Sequence, residues 1–165
     1  DISEARTAIR KAIELDPSNS YARTIHCRIL TTYDWDHKAA EAECRQAVEI
    51  DPNDHEAQKE LAFLLNSLGR EEEAIAAIDR AIAAAPTSFN KRSKGLILYH
   101  SRRYDEAIAM FQQVDATDSE FKETTRWLMR VYQMKGDEEK TREYYKKLME
   151  QSGATADEIR ELEES

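Results

Sequence analysis

The chain has 165 residues, 35% of them charged, and a formal net charge of −9. That acidity argues against generic binding to nucleic acid or an anionic membrane, which needs a basic footprint. No apolar run approaches the ~18 residues of a membrane span, and no signal peptide is visible.

Four glycines and three prolines are few breakers for this length, so long helices are expected. Helical periodicity recurs without strand-like alternation and predicts ten helices: 2–15, 18–32, 36–50, 54–68, 71–84, 88–101, 104–115, 119–135, 138–151 and 155–164. The first ends in Ala12-Ile13-Glu14-Leu15-Asp16-Pro17, the third in Ala47-Val48-Glu49-Ile50-Asp51-Pro52 and the fifth in Ala81-Ile82-Ala83-Ala84-Ala85-Pro86. The prolines stand 35 and 34 residues apart (52 − 17, 86 − 52), the period of stacked helical pairs. Asp16-Pro17-Ser18-Asn19 and Asp51-Pro52-Asn53-Asp54 end one helix and cap the next. Gly69 and Gly136 suit a left-handed turn within a pair. Asp34-Trp35-Asp36 and Arg102-Arg103-Tyr104-Asp105 fill the equivalent turns. The last helix, with Ile159 and Leu162 under a polar surface, suits a capping end. Chain start at Asp1, without Met and in mid-repeat, is expected of a piece of a longer protein.

So aligned, the chain resembles the tetratricopeptide repeat, a helix-turn-helix of 34 residues. Leu61, Ala62, Leu65, Gly69, Ala74, Ile78, Ala81 and Pro86 carry the pattern best. Cys27, Leu30, Ala40, Cys44, Ala47 and Pro52 precede it; Gly95, Leu98, Ala107, Phe111 and Val114 follow, then Leu128, Tyr132, Gly136, Tyr145 and Leu148. The opening fragment supplies Ala5, Ile9, Ala12 and Pro17. The pattern's Trp is replaced by Arg23, Gln58, Lys91 and Thr125, and Thr141 and Gly153 depart from it. The resemblance implies an all-α, right-handed superhelical solenoid of antiparallel helix pairs: a half repeat over 1–17, repeats over 18–52, 53–86, 87–119 and 120–153, and a capping helix over 154–165. Tyr33-Asp34-Trp35-Asp36, followed by Ala40-Glu41-Ala42-Glu43, and the segment from Gly95 through Leu98 to Ile108 also look like turns of bacterial repeat arrays that follow winged-helix, nucleotide-cyclase or kinase domains.

In this family the first helices line a concave groove. Carried over, its slots are Tyr21, Thr24, Arg28 and Thr31; Glu56, Lys59, Phe63 and Asn66; Phe89, Arg92, Leu96, Tyr99 and His100; Glu123, Arg126, Arg130 and Gln133, with Trp127 close by. Arg grips carboxylates and stacks on rings, so the groove suits an acidic or C-terminal peptide. The competing reading is of solvated helix residues paired with nearby Glu. The lysine and asparagine that a chaperone-tail clamp needs are replaced by Thr24 and Arg28. The expected function is a non-catalytic protein-interaction module. The alternatives are a regulatory or self-association region of a bacterial transcription regulator or cyclase, and a passive spacer. Neither a metal nor any other cofactor is expected: the histidines lack ligand spacing, and no nucleophile elbow or phosphate loop occurs. Trp35 reads as a wedge fixing its turn. Cys27 and Cys44, on facing helices, read as small buried hydrophobes and less readily as a bridge. Unpaired, they favour the cytoplasm over the periplasm. Ile9 and Ile13, lacking an upstream helix, are expected to mediate a homodimer or to pack on preceding sequence.

Overall fold

The computed structural model describes residues 1–117 and 122–155. Among them it is helical throughout: α1 (Ile2–Leu15), α2 (Ser20–Ile29), a π-turn (Leu30–Asp34), α3 (His37–Ile50), α4 (His55–Ser67), α5 (Glu71–Ala84), α6 (Ser88–His100), α7 (Tyr104–Thr117), α8 (Lys122–Lys135) and α9 (Glu138–Ser152). The helix expected over 155–164 falls outside the described residues. Consecutive helices pair as α2/α3, α4/α5, α6/α7 and α8/α9, and α2, α4 and α6 stack side by side.

Local chemistry sets each start. Asn19 accepts from the Ala22 amide at 2.8 Å, Asp36 from Ala39 at 3.0 Å and Asp54 from Glu56 at 2.9 Å, filling donors that a helix start leaves open. Helix α2 therefore begins at Ser20 rather than 18. Two of the residues replacing the family's Trp have taken another job. Arg23 Nε donates to the Pro17 carbonyl at 2.9 Å, and Gln58 Nε2 to that of Pro52 at 3.1 Å, tying each proline turn to the next helix.

Packing follows the small-residue slots. Ala40, Cys44, Ala47, Ala62, Ala74, Ala81, Gly95 and Ala107 are buried, and Leu64, Leu65, Ile78, Ile97, Phe111 and Leu128 fill the space between layers. Gly95 is the tightest point: a Cβ there would stand 2.5 Å from Phe111 Cε1. In the last pair, Tyr144 rather than Tyr145 reaches the core, stacking on Tyr132 at 5.4 Å, while Tyr145 is exposed.

Two expectations are corrected. Cys27 and Cys44 form a disulfide, with Cα atoms 5.3 Å apart and both residues fully buried. Both occupy small slots where antiparallel helices come closest, and that approach brings the sulfurs together. The cytoplasmic expectation rested on unpaired thiols and loses that support. Trp35 is no wedge: it is 74% exposed, at φ 55°.

The pair turns are also linked along one edge. Arg6 pairs with Asp34, Arg70 with Glu41 at 2.6 Å, Arg103 with Glu71 at 3.4 Å and Lys135 with Asp105. The Arg70 hydrogen bond, followed by that of Arg45, holds the Glu41 carboxyl below its usual range.

Candidate functional site: the concave groove

The first helices α2, α4, α6 and α8 bring the predicted groove residues onto a shared surface, but their states differ. Lys59 is only 5% exposed, with its ammonium 2.7 Å from Glu56 and 4.4 Å from the centroid of Phe89. It props the exposed Phe89 ring and does not offer a free charge. Thr24 is buried too, its hydroxyl returned to the Ser20 carbonyl. Arg28 reaches Glu60 at 3.4 Å, and Arg126 reaches Glu123 at 3.0 Å. For these three cations, pairing with nearby carboxylates is what the structure shows. Tyr21 is exposed at the N-terminal end, and Arg92 lies over the Phe89 ring at 5.2 Å.

Glu60 is the groove's perturbed acid. Burial pushes its carboxyl above the ordinary range, against the opposing pull of Arg28 and Lys59. Desolvation wins here because the charge must be held where little water reaches.

The aromatic residues converge further along. Phe63, Asn66 and Ser67 of α4, Leu96 and His100 of α6 and Trp127 of α8 line an open cavity of about 420 Å³, within the usual size for a binding pocket. Trp127 is held edge-on by Tyr99 at 5.4 Å and stacked on Phe111 at 6.4 Å. Arg130 lies over the Trp127 ring, 5.3 Å from its centroid. Among the described residues no carboxylate lies within ion-pair distance of Arg130. Asn66 Oδ1 accepts from Ser101 Oγ at 3.3 Å, which fixes the amide at the cavity wall. Sequence spacing placed Phe63, Asn66, Leu96, His100 and Trp127 on the groove face. It missed Ser67, the last residue of α4, which the structure adds to the lining.

Ile9 and Ile13 are half-buried on α1, whose described side chains include none that is fully buried.

Comparison with known proteins agrees with the fold. Residues 36–93 match the family profile of the tetratricopeptide repeat. These residues are tetratricopeptide repeat, and the helix pairs on either side continue the same solenoid fold. No curated protein matches the sequence. Among solved structures the array is similar to "PilW, widely conserved type IV pilus biogenesis factor", with TM-score 0.82 and 24% identity over 96% of this chain and 74% of that one. It is also similar to MamA from Desulfovibrio magneticus RS-1 (TM-score 0.77, 18% identity, 91% of this chain and 85% of that one). A third is YrrB, "a TPR protein with an unusual peptide-binding site" (TM-score 0.71, 21% identity, 91% and 79%). At these identities the likeness establishes the fold. Tetratricopeptide repeats are generally non-enzymatic scaffolds for protein–protein contact.

Proposed function

We propose that the array is a non-catalytic module that holds a peptide segment of a partner protein in its concave groove. The observation that carries this reading is the cavity between α4, α6 and α8, with Arg130 against the Trp127 ring that lines it. An apolar or aromatic side chain fits between Phe63, Leu96 and Trp127, while Arg130 meets a nearby carboxylate or chain terminus. Arg28, Lys59 and Arg126 contribute less than their number suggests, since each already holds a Glu. The peptide-binding site named for YrrB supports the same reading by similarity of fold. An oxidising compartment is the setting that the Cys27–Cys44 bond favours.

Selection of a displayed random-peptide library on the immobilised array tests this. Enriched peptides are expected to pair an acidic residue or C-terminus with a large apolar side chain, and to lose at least tenfold in affinity on Trp127→Ala or Arg130→Glu. Peptides that bind both variants as well as the native array would overturn the groove reading.

A further inference from the structure

The turn between α2 and α3 departs from its counterparts in two ways. Asn19 to Trp35 is sixteen positions (35 − 19), whereas Asp54 to Gly69 and Thr87 to Arg102 are fifteen (69 − 54, 102 − 87). The extra residue is absorbed by the π-turn Leu30–Asp34, and it accounts for the proline spacing of 35 rather than 34. Such single-turn π segments are rare and often mark functional sites. The left-handed position, held by Gly69 (φ 72°), Arg102 (φ 59°) and Gly136 (φ 74°) in the later pairs, is here the bulky aromatic Trp35 (φ 55°). A bulky side chain is disfavoured in that conformation. Nothing inside the molecule repays it, because the indole stands exposed and meets His37 edge-on at 6.3 Å. Tyr33 beside it is exposed as well.

The turn is also acidic and rigid. Asp34 is held by Arg6, and Asp36 caps α3 through the Ala39 amide. An aromatic ring flanked by fixed carboxylates has the chemistry that the cavity between α4, α6 and α8 lacks: an apolar filling and a negative partner for Arg130.

We propose that the Trp35 turn of one copy docks into the Phe63/Leu96/Trp127 cavity of a second copy. The proposal rests on the groove being a docking surface, and it names this chain as one occupant. Trp35 fills the cavity, with His100 or the Asn66 carbonyl as acceptor for its indole N–H, and Asp36 faces Arg130. Turn and cavity are different patches on different repeats, so the contact is heterologous and runs head to tail. Because the turn is already rigid, little conformational freedom is lost on docking.

Sedimentation of native array and two variants tests this. The native chain should exceed its 19.1 kDa monomer mass increasingly with concentration. Trp35→Gly suits the left-handed position and so should fold, yet it should remain monomeric; Arg130→Glu should do the same, with circular dichroism confirming both folds. Mixed one to one, the two should form a complex that stops at the dimer, since each supplies the half that the other lacks. A native chain monomeric at every concentration overturns the proposal. So does a mixture that stays monomeric, or assembly that survives both variants and is lost in Ile9→Ser/Ile13→Ser. The peptide selection reads the groove separately: enrichment on a strictly monomeric array leaves the groove reading standing and removes only self-docking.

Discussion

Reducing the Cys27–Cys44 bond should weaken one end of the array and leave the other intact. The bridge closes a loop with a sequence separation of 17 residues. Loop-closure entropy for that length amounts to about 3 kcal/mol of stabilisation through the unfolded chain, or about two decades in a local opening equilibrium. In a linear array each repeat contacts only its neighbours, so the loss should concentrate in α1–α3 and fade by α6. Reductant is the clean perturbation, because both sulfurs stay in place and no cavity opens. Hydrogen exchange followed by mass spectrometry, with and without reductant, should show amides of α2 and α3 losing up to about a hundredfold protection. Those of α6 and α7 should be nearly unchanged. Uniform loss along the chain would refute local coupling. Two titratable thiols in protein unfolded without reductant would refute the bond itself.

Two further outcomes concern single side chains. Gly95→Ala places a methyl 2.5 Å from the Phe111 ring and should cost about 1–3 kcal/mol by overpacking; an unchanged denaturation midpoint would show that α6 and α7 can separate freely. Burial raises the Glu60 carboxyl above its ordinary 4.5, so the folded chain binds this proton more tightly than the unfolded one. Its contribution favours folding at acidic pH and drains away as pH rises from 4.5 through the higher folded midpoint. A side-chain NMR titration with a midpoint at or below 4.5 would contradict that account, and Glu60→Gln should flatten the stability profile over the same interval.

What the linear order of residues determined by itself was the repeat. Helix length, proline turns, capping Asp and Asn, and small residues at fixed spacing are local or nearest-neighbour properties, and a solenoid is built from such contacts. The groove face was readable for the same reason, since Phe63, Leu96 and Arg130 recur at matching positions of successive repeats, each six before the left-handed turn residue (69 − 63, 102 − 96, 136 − 130), with Trp127 close by. Tertiary structure decided what depends on distance across the pairs. It closed Cys27 onto Cys44, because the slots that admit small residues are also those where backbones approach most closely. It turned Lys59 inward beneath Phe89, spent Arg28 and Arg126 on Glu60 and Glu123, and set Arg130 against the Trp127 ring. It also turned Trp35 outward, because the left-handed position that closes the pair turn stands at the surface, as it does at Gly69, Arg102 and Gly136. Composition counts charges and rings; which of them stay available to a partner is settled by what the fold places beside them.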